Sequence, residues 1–391
     1  MTFNYQLSKY LYNIQVIQLI AFIIALVISY LLTPLVQSRA IKLGLLDKPH
    51  KRKIHDKPTP RLGGVCIFVS LFLTTIFFLA TYWKYRTTMP GTFTLLGIFS
   101  GGTIIFFLGL LDDIDPLPAL VKLFMQFFAA SVAWFLGIRI VNLANPLYHA
   151  NFHYFKLSVG GSMIHIDPLL SFIITLLWIV IITNAVNLID GMDGLATGVS
   201  LISAIAIWSV SVDYRINQPG GALLAATLAG ALLGFLRWNF NPARIFLGDS
   251  GAYLVGFVLS TLAVSCVTKK ITIAVISPVL ILIFAFPIGD ILFAVVRRLL
   301  SGKSILQPDK EHLHHRVLAF GFSQKIASYL LYMLSACLGL VASYLISAKS
   351  SIRFLILFGF TITIALFYTY IINWRRQKYL RDIFIKGEND S

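Results

Sequence analysis

Long apolar runs separated by short polar loops constrain this chain more than any other feature. Eleven stretches of roughly the length a bilayer requires, about 20 residues each, recur near residues 15–36, 62–82, 93–111, 119–141, 168–186, 196–213, 220–237, 250–267, 273–295, 326–346 and 352–373. A chain of 391 residues with 58% hydrophobic and only 12% charged residues cannot bury that much apolar surface in water, where soluble domains carry about 25% charged residues. The expected fold class is therefore all-α, a polytopic membrane helix bundle of about 11 transmembrane helices. Soluble, disordered and disulfide-stapled classes are excluded.

The first run is too long, and its head too weakly basic, for a cleavable signal, so it is expected to remain as a helix. Glycine and proline interrupt several runs, as at Gly101-Gly102, Gly220-Gly221 and Pro287, which membrane helices tolerate when neighbours satisfy the backbone. Residues 1–391 read as a single integral membrane domain, with 374–391 as a short basic tail. Cys66, Cys266 and Cys337 are odd in number and scattered through apolar stretches, which suits packing rather than a disulfide framework or a zinc site.

The net charge of +16 has a membrane explanation before a nucleic-acid one. Loops on the side of residues 37–61 carry most of the Lys and Arg. The positive-inside rule makes that side cytoplasmic, leaving the N-terminus outside and the C-terminus in the cytoplasm. Nearly all the acidic residues gather on the same side, with Asp167 and Asp213 outside. A solute pathway would instead place ionisable groups near mid-bilayer. Mixed charge on one face points to a polar site at the membrane surface, and a transporter or a non-catalytic scaffold is the weaker alternative.

Five motifs supply that site. GLLDDIDPLPALVK carries Asp112 and Asp113 where the third run ends, with Lys122 opening the fourth. Adjacent carboxylates cannot share one helical face, but at a helix end both can reach one cation. Their repulsion demands compensation by a metal, a lysine or a shared proton. TNAVNLIDGMDGLATG repeats polar groups every three residues at Asn184, Asn187, Asp190 and Asp193. Costly polar groups beside an apolar span read as functional before they read as helix caps. NFNPARIFLGDSGAYLVG sets Asp249 between glycines just before the eighth run, where it could act as an N-cap or in an anion-plus-metal site. RRLLSGKSILQPDKEHLHHRVLAFGFS brings His312, His314 and His315 beside Arg316, a set better matched to phosphate or sugar than to zinc. DKPHKRKIHDKPTPRLGG, which contains Arg61, is basic enough to orient the chain or to hold phosphates. No GxxxxGK[ST] loop occurs, so ATP hydrolysis has no support.

Taken in order, from about Asp47 to Gly321, these elements resemble the polyprenyl-phosphate N-acetylhexosamine-1-phosphate transferases. HLHHR is similar to the branch that uses UDP-N-acetylglucosamine (UDP-GlcNAc), since Leu313 interrupts the three consecutive histidines of the branch that loads phospho-MurNAc-pentapeptide. The likeness extends to the enzymes that begin enterobacterial common antigen, O-antigen or wall teichoic acid synthesis.

The resemblance implies transfer of GlcNAc-1-phosphate from UDP-GlcNAc to undecaprenyl phosphate at the cytoplasmic face of a bacterial inner membrane, with release of UMP. Other UDP-N-acetylhexosamines remain open as donors. Mg²⁺ is the implied cofactor, with Mn²⁺ as an alternative. Membrane lipid is the implied surrounding, nucleic acid is not a partner, and a homodimer is expected by analogy only.

By the same resemblance Asp112, Asp113 and Asp249 are catalytic, and Asp249 with Asn187 binds the metal. The paired aspartates are expected to position more than to abstract a proton, because a phosphate monoester is already mostly ionised (second pKa about 6). Asn239, Phe246 and Asp193 contact the nucleoside, Phe246 by stacking on uracil, while Asp190 and Lys122 are further site residues. His312, His314, His315, Arg316 and, more weakly, Arg61 hold diphosphate and sugar. The chain departs from the family's DDxxD pattern by reading DDIDP, which removes support from Asp115 but not from Asp112 and Asp113.

Overall fold

Inside a bilayer a backbone without water must satisfy its own polar groups, and helices do so within one segment. The computed structural model describes residues 2–47, 58–81, 92–144, 163–165, 167–213, 216, 218–267, 281–300, 317–318 and 321–347. Ten helices account for most of them. In chain order they are α1 Thr2–Lys42, α2 Gly63–Thr81, α3 Thr92–Ile114, α4 Ala119–Phe135 and α5 Pro168–Ile189. They continue with α6 Leu195–Val212, α7 Pro219–Asn239, α8 Gly248–Val267, α9 Ala285–Leu300 and α10 Gln324–Ser347. Among the described residues, seven helices are long and apolar enough to cross a membrane: α1, α2, α3, α5, α6, α7 and α10. The multi-pass reading holds. The last expected run, 352–373, and the tail 374–391 lie outside the described residues, as does most of the second compact unit, Tyr344–Ser391.

Several boundaries differ from those read in the sequence. Helix α4 stops at Phe135, short of residue 141, because Gly137 turns the chain with a positive φ of 96°. Helix α9 ends later than the 273–295 run, continuing through Arg297 and Arg298 to Leu300, while residues 273–280 lie outside the described residues. The all-α class also gains two small strand pairs. Strand β1 (Leu46–Asp47) pairs antiparallel with β2 (Thr59–Pro60), and β3 (Asn142–Ala144) pairs likewise with β4 (Met163–His165). Both lie between apolar runs, where helical periodicity carries no signal.

The core is built around α8, which packs against α2, α3, α5, α6 and α7. Its residues Leu254, Val255, Phe257, Leu259 and Leu262 are fully enclosed. Helix α1 lies along α7 and α2 at the periphery, turning Leu19, Leu31 and Leu35 outward. Outward Leu120, Phe124 and Phe128 on α4 and Leu169, Ile173 and Leu177 on α5 give the same apolar exterior, which in a bundle of this kind faces lipid. Cys66 packs in the core as expected, whereas Cys337 faces outward.

Candidate active site

The C-terminal ends of α3, α5 and α7 and the N-terminal ends of α2, α4, α6 and α8 meet at one end of the bundle, where the sequence motifs fall. Assembly begins with backbone. The N–H groups of Gly63 and Gly64, which have no partner within the first turn of α2, donate to the carbonyls of Phe246 (3.0 Å) and Leu247 (2.9 Å). The Phe246 N–H in turn donates to the Pro60 carbonyl at 2.7 Å. The chain leading into α8 is thereby stitched to the chain leading into α2.

Such an approach requires a missing side chain. A Cβ at Gly64 would collide with the Gly251 backbone, and one at Gly109 would sit 2.5 Å from both N and Cα of Ser250. Helices α2, α3 and α8 therefore touch backbone to backbone at the first turn of α8, where Asp249 stands.

Asp113 caps that turn from another helix. One carboxylate oxygen accepts the Asp249 N–H at 2.7 Å, and the other accepts the Ser250 N–H at 3.0 Å and its hydroxyl at 2.6 Å. This satisfies two otherwise orphaned donors and places negative charge at the positive end of the helix dipole. Asp112, the next residue round the helix, turns away. It is 3% exposed, accepts the Leu117 N–H at 2.8 Å and forms a 2.7 Å ion pair with Lys122. Successive helical residues diverge by about 100°, so the two carboxylates brace different elements rather than chelating one cation side by side. Asp113→Ala should lower unfolding stability by about 2–3 kcal/mol through loss of a charged cap. An unchanged thermal unfolding midpoint in detergent would remove the capping role.

Asp249 itself meets α5. The Asn187 side-chain amide donates to its carboxylate at 2.6 Å, and Asp112 lies close enough to add its negative charge. Asp190 ends α5 as its C-cap residue. Burial is the first cause that pushes its carboxyl well above the usual range, followed by the charges of Asp249 and Asp113. The nearby Arg61 guanidinium opposes the shift. Arg61 also pairs with Asp47 at 3.5 Å, a partner that sequence reading missed because β1 and β2 bring it close.

Deeper in the bundle, Gln126 of α4 and Asn184 of α5 exchange amide hydrogen bonds of 3.3 and 2.6 Å. Gln126 is 2% exposed, and the pair locks together the helices that carry Lys122 and Asn187.

The two expected nucleoside contacts other than Phe246 have structural partners. Asp193 accepts from the Asn241 amide (3.0 Å) and the Ala243 N–H (2.9 Å). Asn239, 2% exposed, accepts from the Thr197 hydroxyl (2.6 Å) and donates to the Ile245 carbonyl (3.0 Å). Both hold the loop 240–247 that carries Phe246. Asn241 was absent from the sequence reading although it lies inside a motif already singled out. Asp115 is exposed on the α3–α4 turn. His312, His314, His315 and Arg316 lie outside the described residues.

A cation was expected here. Among the described residues, no three His, Cys, Asp or Glu side chains form a metal-holding group. The donors nonetheless fit a hard ion: Asp249 and Asp190 offer carboxylate oxygens, and the Asn187 amide offers another oxygen. Mg²⁺ is commonly held by one or two carboxylates together with substrate phosphates. The buried carboxylates of Asp112, Asp113, Asp190 and Asp249 repel one another, which a cation would relieve.

The chain is similar to known proteins along most of its length. Residues 95–267, which span α3 to α8, match the family model described as Glycosyl transferase family 4. A Bacillus subtilis protein named "Probable undecaprenyl-phosphate N-acetylglucosaminyl 1-phosphate transferase" is 36% identical over 346 residues, 87% of this chain and 88% of its own. A "Decaprenyl-phosphate N-acetylglucosaminephosphotransferase" of Mycolicibacterium smegmatis is 37% identical over 79% of this chain and 77% of its own. An Escherichia coli "Undecaprenyl-phosphate alpha-N-acetylglucosaminyl 1-phosphate transferase" is 28% identical over 78% of each chain. Similarity of this extent to the Bacillus protein, together with the family match, shows that the chain belongs to glycosyl transferase family 4 and is a multi-pass membrane transferase.

Proposed function

We propose that this enzyme transfers N-acetylglucosamine 1-phosphate from UDP-GlcNAc to undecaprenyl phosphate, releasing UMP and leaving GlcNAc-diphospho-undecaprenol in the membrane. The relatives' names support the sugar and a polyprenyl acceptor, and they include both undecaprenyl and decaprenyl lipids. The site is proposed to face the cytoplasm of a bacterial inner membrane, where the basic loops predict it and UDP-sugars occur. Such a lipid carries its phosphate at the membrane surface, and its polyprenyl chain suits the apolar exterior of α4 and α5.

The single observation that carries this reading is the meeting of Asp249, Asn187 and the Asp112–Lys122 pair at one end of an apolar bundle. An oxygen of the lipid phosphate attacks the phosphorus that bears the sugar. The bond from that phosphorus to the bridging oxygen of UMP breaks, and UMP leaves with the electron pair. Both reactants are anionic, so positioning and charge neutralisation account for most of the acceleration. Lys122, fixed by Asp112, and Arg61 offer cationic charge to the phosphates. Asp113 keeps the first turn of α8, and with it Asp249, in place. Phe246 offers its ring to uracil, and His312, His314, His315 and Arg316 are assigned to diphosphate and sugar. Bound to Asp249 with Asn187 and Asp190 nearby, Mg²⁺ would neutralise diphosphate charge.

The test is reconstitution. Purified protein in detergent with Mg²⁺, undecaprenyl phosphate and UDP-GlcNAc should release UMP and form lipid-linked GlcNAc in equal amounts. Chelation of divalent ions should stop both, and replenished Mg²⁺ should restore them. Turnover only with a different UDP-N-acetylhexosamine would replace the donor, and no UMP from any donor would overturn the reaction.

A further inference from the structure

Helix α10 lies outside every motif singled out in the sequence, yet it grips the functional end at three points. The Tyr332 hydroxyl donates to the Gly194 carbonyl at 2.6 Å, and its ring lies so close to Gly198 that a Cβ there would overlap it. The Asn241 side-chain nitrogen donates to the Gln324 amide oxygen at 3.1 Å and to the Asp193 carboxylate at 3.0 Å, using both of its hydrogens. Between these contacts the Tyr329 ring packs at 5.4 Å from that of Phe240.

The gripped segments are the 190–194 turn and the 240–247 loop. Gly194 opens α6 in a left-handed conformation with φ 73°, and its carbonyl accepts both the Gly198 N–H at 2.8 Å and the Tyr332 hydroxyl. Asp193 and Asn241 then join turn to loop, with the Ala243 N–H as a second tie. The loop continues into Phe246, whose backbone is held at the other end by Pro60 and Gly63. A loop pinned at both ends presents its aromatic ring in one place, and α10 supplies one of the pins.

We propose that Gln324, Tyr332 and Asn241 are positioning residues for donor recognition. They set the place of the 240–247 loop, and through it Phe246, without touching substrate. The inference rests on the reading that Phe246 receives the uracil of the donor. It assigns the lipid acceptor to other elements, α4 and Lys122, so the two substrates should respond differently to a change in α10.

The experiment compares wild type, Tyr332→Phe and Gln324→Ala as full-length protein in detergent. UMP affinity is measured by calorimetry, KM is determined separately for UDP-GlcNAc and undecaprenyl phosphate, and folding is followed by the thermal midpoint. Each variant should weaken UMP binding and raise donor KM by about three- to tenfold, the scale of one lost net hydrogen bond. The acceptor KM should stay at its wild-type value, and the midpoint should fall by no more than the loss of one hydrogen bond accounts for.

Unchanged UMP affinity and donor KM in both variants would overturn the proposal. So would a parallel loss in both substrates and in the midpoint, which marks a purely structural contact. Wild-type protein that neither binds UMP nor turns over donor would overturn the proposed function and this inference with it. Active wild type with unaffected variants would overturn the inference alone.

Discussion

Asp249→Asn should cut turnover by about a thousandfold, the scale on which removing one electrostatic contact at a transition state acts, while the protein still folds. The substitution keeps the shape of the side chain and an oxygen that can accept from the Asn187 amide. The Asp249 backbone N–H also still donates to Asp113, so the first turn of α8 remains capped. Only the negative charge is lost. If that charge recruits a divalent ion, the variant should retain the wild-type thermal midpoint, lose turnover, and show a weakened Mg²⁺ dependence in the residual rate. Near-wild-type activity would remove Asp249 from the centre of the site.

Gly109→Ala should be nearly as damaging for a different reason. The new Cβ would stand 2.5 Å from the N and Cα of Ser250 and 2.6 Å from the carbonyl carbon of Asp249. Those are backbone atoms at the start of α8, so no rotamer change relieves the overlap. Helices α3 and α8 must move apart, which strains the Asp113 cap and displaces Asp249. Overpacking of this kind costs about 1–3 kcal/mol, and a displacement of about 1 Å in a positioned group can cost a hundredfold in rate. Gly109→Ala should therefore lower both the thermal midpoint and kcat. Gly102→Ala is the control. It lies on the same helix, where a Cβ would meet its nearest neighbour at an ordinary 3.6 Å, and it should change neither much. Equal behaviour of the two variants would show that close contact at Gly109 does not govern the site.

The bundle was legible because each span repeats the same physical requirement: an apolar stretch with its own backbone satisfied. Asn187 and Asp249 were legible as candidate site residues because polar groups beside apolar spans are expensive. Their direct hydrogen bond bridges sequence positions 62 residues apart. The adjacency of Asp112 and Asp113 was informative only in part. It left a metal, a lysine or a shared proton open as compensation; Lys122 stands beside Asp112, but the helix also directs Asp113 away from it, to the N-terminus of α8. Asp193 and Asn239 were conspicuous as polar residues, but their hydrogen bonds hold a loop. Gln324 and Tyr332 had no signal at all, since a polar residue at a helix start and a tyrosine in an apolar run are ordinary.

By itself the amino-acid order determined the solvent, the helical class and the segments that bear charge, because those depend on local composition and on the cost of placing polar groups in hydrocarbon. Which of those charges touch was decided only in three dimensions. Small glycines at 64 and 109 let three backbones close on the start of α8, and an aspartate on α3 then caps a helix that begins 135 residues later. Contacts of that kind depend on direction and distance between separate helices, quantities that no local pattern contains.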